Sequence, residues 1–273
     1  MVTLSSAHPY HVHDTTDGIH LISKEVPVSR TLHWLKQGWI DIAHAPMASL
    51  FYGVATMLFV MLSLVAVRDL PFLMMAIGTS FVMIAPFLAT GLYDIAYRLE
   101  RGDPPSLAHS LASWRDNVGN FGLYVASLGV IISAWTIITP LMAALFKSQS
   151  LLIVDPDAGF VSFLTTDAGI NFLIAFTLLG AVLAAFVFAI SVVSIPLLID
   201  KHKLDAVNAM IISYQVTMEN KGVMVVWALM IGALVSLGIA TLGMLMVIIM
   251  PLLSYASWHA YRDLIKFTDD ADG

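Results

Sequence analysis

The side chains able to do chemistry fall into a few clusters along the chain. His8, His11, His13 and His20 lie in the polar stretch 1–28, and the spacing His-x-x-His-x-His could bind a transition metal. The competing reading is a polar, disordered tail, since nothing nearby offers folded support for a ligand shell. Asp94 and Asp200 each end a proline-containing apolar run, with Arg98 and Lys203 close behind as possible partners. Such pairs could line a vestibule for a coupled transporter, or they are interfacial carboxylates in water. His259 and Arg262 sit together in A-S-W-H-A-Y-R-D-L, residues 256–264. Trp114 recurs in position with Trp39, Tyr214 and Trp258, where rings anchor spans at an interface or, less simply, form a ligand cage.

Several chemistries are excluded. The chain has no cysteine, so disulfides, thiolate catalysis and cysteine-held metal sites are out. Ser191 and Ser194 have no buried base in view, and no glycine-rich phosphate loop follows a strand. His33, His44, His109, His202 and His259 all fall at or beyond the ends of apolar runs, so none can ligate a metal or haem at mid-membrane depth. We expect no catalytic residues, no cofactor and no metal site, and therefore no enzyme.

The surrounding elements are apolar. Of 273 residues 59% are hydrophobic and 12% charged, a balance too apolar for one water-facing domain and suited to a lipid-embedded one. The stretch 1–28 lacks the apolar core of a signal peptide, so the N-terminus is expected to be retained. Apolar runs at about 46–67, 71–93, 121–146, 169–199, 223–238 and 241–258 make six spans, since roughly 20 apolar residues cross a bilayer. Arg68-Asp69-Leu70-Pro71 turns the first pair into a hairpin, and Gly238 and Gly243 bracket the last turn. Gly180, Ala184 and Ala181, Ala185 give the fourth span a small-residue packing face. Residues 268–273 form an acidic tail.

With six spans, one side holds Lys24, Arg30, Lys36, Arg98, Arg101, Arg115, Lys201, Lys203, Lys221, Arg262 and Lys266; the other holds only Arg68 and Lys147. By the positive-inside rule both termini are cytoplasmic.

Between spans the pattern turns helical and amphipathic. Leu32, Leu35, Trp39 and Ile42 form one stripe; Leu107, Leu111, Trp114 and Val118 form a second on a helix expected at 106–119; Val207, Ile211, Tyr214 and Met218 form a third. Moving Leu107 onto Val207 lays the whole second stripe, Asn120 and Gly122 onto the third, Asn220 and Gly222. In the same way Leu32, Trp39 and Asp41 fall onto Leu107, Trp114 and Asp116. Pro86, Pro196 and Pro251 mark the even spans. The expected architecture is all-α, with three hairpins, each preceded by a cytoplasmic interfacial helix, around a pseudo-threefold axis.

At G-L-Y-D-I-A-Y-R-L-E-R-G-D-P-P-S (91–106), F-A-I-S-V-V-S-I-P-L-L-I-D (188–200), A-S-W-H-A-Y-R-D-L (256–264) and W-L-K-Q-G-W-I-D-I-A-H-A-P (34–46) the chain resembles domain-of-unknown-function family 2189, bacterial integral membrane proteins. The resemblance covers about residues 30–266 and implies a bacterial inner-membrane location, with no established activity or site residues. Members are sometimes labelled automatically as cytochrome c oxidase subunit I, which the histidine positions here rule out for a catalytic role.

Two functions fit these observations. One is a non-catalytic scaffold, accessory or assembly subunit of a membrane complex, respiratory among the options, meeting the lipid bilayer and another membrane protein or a second copy of itself. The other is a small-solute transporter or channel with a path through the bundle. Neither involves nucleic acid. A polar file along the bundle would favour transport, and an apolar centre the scaffold.

Overall fold

The computed structural model describes residues 10–14, 20–66, 69–149, 163, 165–201 and 204–267. Its helices are α1 (Arg30–His44), α2 (Pro46–Ala66), α3 (Pro71–Leu88), α4 (Thr90–Glu100), α5 (Leu107–Ser110) and α6 (Val118–Gln149). These are followed by α7 (Asp167–Ser191), α8 (Ser194–Asp200), α9 (Ala206–Glu219), α10 (Lys221–Ala240) and α11 (Met246–Leu264). Proline starts α2 and α3, where a missing N–H costs nothing. Thr166 caps α7 by accepting the Gly169 N–H at 3.1 Å, and Asp205 caps α9 by accepting from Val207 and Asn208 at 2.8 and 2.9 Å. The α10–α11 turn needs left-handed backbone at Leu242 (φ 55°) and Gly243 (φ 89°).

Among the described residues four stretches can cross a membrane by length and composition: Pro46–Ala66, Val118–Phe146, Asp167–Asp200 and Lys221–Ala240. About a quarter of the α2, α6 and α10 windows is buried (28, 22 and 28%), against 61% for Asp167–Asp200. α2, α6 and α10 therefore offer most of their apolar surface to lipid, and Asp167–Asp200 is the most buried of the four.

Close packing comes from small residues, as expected where lipid removes the hydrophobic incentive for helix association. At Gly38 of α1 a Cβ would sit 2.7 Å from the Leu252 carbonyl oxygen of α11, and at Gly53 of α2 it would collide with the Val247 backbone. Trp34 of α1 meets Trp227 of α10 edge-on, centroids 5.5 Å apart. At the opposite end of the molecule Phe72, Phe163 and Phe172 join α3 and α7.

The fourth apolar run is broken. Pro196 has no N–H for the Val192 carbonyl, so α7 stops at Ser191 and α8 begins at Ser194. Ser213 of α9 repairs the gap, accepting the Val193 N–H at 3.1 Å and donating to the Ala189 carbonyl at 2.7 Å.

Two expectations are corrected. The stretch 1–28 is not wholly disordered: β1 (Tyr10–Asp14) and β2 (His20–Lys24) pair antiparallel, and β2 pairs with β3 (Ile265–Phe267). Leu21, Ser23, Ile265 and Phe267 face inward and Lys266 outward, the two-residue period of a strand. A two-strand hairpin is marginal alone; here the C-terminal strand completes it, a long-range pairing no local pattern reveals. The helix expected at 106–119 is also not continuous. Ser106 caps α5 through the His109 N–H, but α5 ends at Ser110 and a 3-10 turn (Ser113–Asn117) follows. The Ser110 and Ser113 hydroxyls donate to the Leu107 and Ser110 carbonyls at 2.9 Å, competing with the helix's own bonds.

Most of the interfacial stripe residues face outward, Leu35, Ile42 and Leu107 packing against the core instead. Leu32, Trp39, Leu111, Trp114, Val118, Val207, Ile211, Tyr214 and Met218 are all exposed, while Thr31, Trp34, Gly38 and Ala206, Ala209, Ile212, Ser213 are buried.

Candidate functional site

The last two turns of α11 carry a row of polar side chains, and between them they reach three other elements. His259 Nε2 lies 2.7 Å from Asp41 Oδ2 on α1. Trp258 Nε1 donates to Glu100 on α4 at 3.1 Å, and Arg262 Nε donates to the other oxygen of that carboxylate at 2.8 Å. Arg262 Nη1 also donates to Asp200 Oδ2 on α8 at 3.2 Å, and the Tyr261 hydroxyl donates to that same oxygen at 2.6 Å. Asp263 turns back to α1, accepting from Arg30 Nε at 2.6 Å and Trp34 Nε1 at 3.0 Å. One helix end thus clamps α1, α4 and α8 together.

The electrostatics follow from the placement. Burial, and next the Asp200 carboxylate beside it, push the Tyr261 phenol well above its ordinary range. For Arg262 burial opposes the charge, but Glu100 and Asp200 together raise its pKa above the ordinary value. The cluster is a charge-paired lock: Tyr261 stays protonated as a donor, and Arg262 stays cationic between two carboxylates.

Asp94 does not take Arg98 as its partner, although the spacing suggests it. It is buried beside His109, whose Nδ1 is 2.9 Å from Asp94 Oδ2 and whose side chain is 49% exposed. Arg98 turns to the Pro104 carbonyl at 3.0 Å and closes the loop after α4. Lys203 lies outside the described residues, and Asp200 takes Tyr261 and Arg262. Trp114 stands apart from the lock, exposed, with its Nε1 donating to the Leu111 carbonyl.

The tail histidines do not assemble a metal site among the described residues, where no group of three or more His, Asp or Glu could hold an ion. His8 lies outside the described residues, as does the His20 side chain. His13 is 2.9 Å from the Ser23 hydroxyl and 3.0 Å from Gln215 Oε1, while Ser23 donates to Glu219 at 2.5 Å. His11 approaches Glu25 at 3.5 Å. These contacts seat the hairpin on the end of α9.

Sequence reasoning missed Asp41, Glu100, Tyr261 and Asp263 as members of the lock. A weak signal was present: Trp258, Tyr261 and Arg262 are spaced i, i+3, i+4 and share one helix face, while His259 and Asp263, four apart, share another.

A second feature is a cavity of about 590 Å³ between α3, α7, α10 and α11. Ala181, Ala185, Leu229, Gly232, Phe81 and Met250 are among its walls. Of the small residues of α7 expected to pack on a helix, Gly180 does so, a Cβ there lying 3.3 Å from the Trp135 ring of α6, whereas Ala181, Ala184 and Ala185 line this space. Ala181, Ala185, Val225 and Leu229 are exposed, so the cavity is a groove opening sideways, toward lipid. Its hydroxyls are occupied: Ser254 donates to the Met250 carbonyl at 2.8 Å, and Tyr93 faces Ser257.

No curated protein and no solved structure matches the chain. The stretch from 72 to 200, which holds Asp94, Glu100 and Asp200, matches the model of the family described as predicted integral membrane protein (DUF2189); two of the four motifs that resemble it, 91–106 and 188–200, lie within this stretch.

Proposed function

We propose that the protein is a non-catalytic scaffold or accessory subunit of a membrane complex, multi-pass in the bacterial inner membrane with both termini cytoplasmic. One observation carries this reading. The conspicuous ionisable side chains of the α11 end are spent on one another and on their neighbours, tying helices together, while the groove between α7 and α10 is lined by apolar side chains. A solute path needs polar groups along its length, and the apolar groove weighs against the transporter alternative.

The six-span arrangement as three hairpins belongs to the same proposal. Along the chain the apolar helices follow one another as α2 then α3, α6 then α7–α8, and α10 then α11; in space α2 packs chiefly on α11 and α3 on α6. Two of the three interfacial segments are gripped by equivalent asparagines, which supports an internal repeat. The outward stripes of Leu32 and Trp39, Leu111 and Trp114, and Ile211 and Tyr214 are then an apolar collar at the cytoplasmic interface, meeting headgroups or a partner's helices.

The test is purification in gentle detergent with identification of co-purifying proteins. The expected result is a stoichiometric membrane partner, or a second copy, lost when Ile211 and Tyr214 are changed to Ser. Solute flux through proteoliposomes holding the pure protein would overturn the reading.

A further inference from the structure

We propose that the groove between α7 and α10 is a binding site for one acyl chain of an anionic phospholipid, with Lys221 holding the phosphate at the membrane surface. The proposal goes beyond the scaffold reading and does not depend on it.

Three observations carry it. First, the space has the size of a ligand site, about 300–1,000 Å³ being usual, and its walls are side chains without free polar groups. Tyr93, Ser254 and Ser257, the polar groups at one end, already have partners, so nothing inside selects a polar solute. What enters is hydrocarbon. Second, the opening lies along helices that span the hydrocarbon layer, where acyl chains are the available occupant. From Val225 to Val235 the α10 wall runs about 15 Å at 1.5 Å per residue, a length over which a single chain can lie. Third, Lys221 is exposed at the first residue of α10, four residues before Val225. Residues four apart share a helix face, so Lys221, Val225, Leu229 and Gly232 form one line running from the membrane surface into the groove. A cation at the mouth of an apolar slot matches an anionic headgroup joined to an apolar chain, and it would give a zwitterionic lipid no comparable advantage.

The void is built by absent side chains. A Cβ at Gly232 would have no neighbour within 4 Å, and Ala181 and Ala185 stand on the opposite wall. A large residue at Gly232 can therefore fill the slot without disturbing the packing behind it.

The experiment uses the full chain, stripped of lipid by detergent exchange and titrated with phosphatidylglycerol or phosphatidylcholine, bound lipid being counted by native mass spectrometry. We expect one tightly held phosphatidylglycerol and at least fivefold weaker phosphatidylcholine. Gly232→Trp should lower occupancy at least tenfold at matched lipid with helicity unchanged. Lys221→Gln should retain a lipid but lose the preference. Ala185→Trp, on the other wall, repeats the filling test if the Gly232 variant does not fold, and Lys221→Gln alters only an exposed side chain. Equal binding of the two lipids by the wild type, or full occupancy in a folded groove-filled variant, would overturn the proposal.

Discussion

Asn120 and Asn220 stand at corresponding positions and perform the same task on different parts of the chain. Asn120 Oδ1 accepts the Ala206 N–H at 3.1 Å and its amide donates to the Leu204 carbonyl at 3.2 Å, fixing the chain where α9 begins. Asn220 Oδ1 accepts the Val26 N–H at 3.0 Å, just ahead of α1. Each asparagine at the foot of one helical unit therefore grips the lead-in to another unit's interfacial helix, and the second grip joins the late part of the chain to its start. The position corresponding to these in the first unit is Ala45, which has no amide to offer.

Removing either grip strands a backbone donor. Asn120→Ala and Asn220→Ala should each destabilise by about 1–2 kcal/mol, the cost of leaving such a group without its partner. The two sites share no partner, so the double variant should be the sum within about 0.5 kcal/mol. Thermal unfolding in detergent measures both. Single variants that melt together with the wild type would show that water satisfies these N–H groups.

How much of this was legible in the sequence depends on where the signal lives. The long apolar runs at 46–67 and 121–146 announce helices by composition alone, and α2 and α6 lie there. The direction of the interfacial stripes was not legible. In lipid an apolar residue such as Ile211 gains nothing by turning inward, so a stripe does not mark a core, and Ala209 and Ser213 pack there instead. The β2–β3 pairing joins residues near the two ends of the chain, through the short closing strand Ile265–Phe267. Asp94 and Asp200 stood out as carboxylates at helix ends; that His109 and Tyr261 would meet them rests on folds of the chain no spacing encodes.

Arg262 should be the most sensitive residue of the lock. Changing it to Ala leaves Glu100 and Asp200 facing each other without their cation. Allowing for partial exposure of the arginine, the expected loss is on the order of 1–3 kcal/mol, below the value for a fully buried pair. Arg262→Lys should recover only part, because one ammonium cannot reproduce the guanidinium's span between two carboxylates. The measurement is thermal unfolding beside Glu100→Gln; if Arg262→Ala and Arg262→Lys melt with the wild type, the lock contributes no net stability.

Glycines separate packing from recurrence. Gly53→Val puts a branched side chain against the Val247 backbone, which cannot move without shifting α11, so we expect loss of monodisperse protein on size-exclusion chromatography. Gly122 and Gly222 recur in the repeat but meet no neighbour, and neither has positive φ. Gly122→Ala and Gly222→Ala should therefore be neutral or stabilising, by up to about 1 kcal/mol. Severe loss from either would mean the recurring glycine is a contact point with a partner or a second copy.

The segment around Trp114 decides between a structural collar and a membrane-facing one. Trp114 is 42% exposed, with Leu111 and Val118 exposed beside it, and Arg115 stacks over its ring at 5.7 Å. Its Nε1 hydrogen bond goes to the Leu111 carbonyl within the same segment, so that bond holds no other element in place. A carboxylate put there stays in contact with water or headgroups, and the desolvation cost that makes buried charge so destabilising does not arise. Trp114→Asp should then change stability in detergent by no more than about 0.5 kcal/mol, as for other surface positions. Fluorescence gives an independent reading. Trp34, Trp135, Trp227 and Trp258 are fully buried, leaving Trp39 and Trp114 as the exposed rings. In vesicles of lipid brominated near the headgroup, quenching should be confined to those two, and Trp114→Phe should remove roughly half of the quenchable signal. A melting point for Trp114→Asp that falls as far as for Arg262→Ala, or unquenched Trp114, would put the ring in a protein contact and end the membrane-facing reading of the collar.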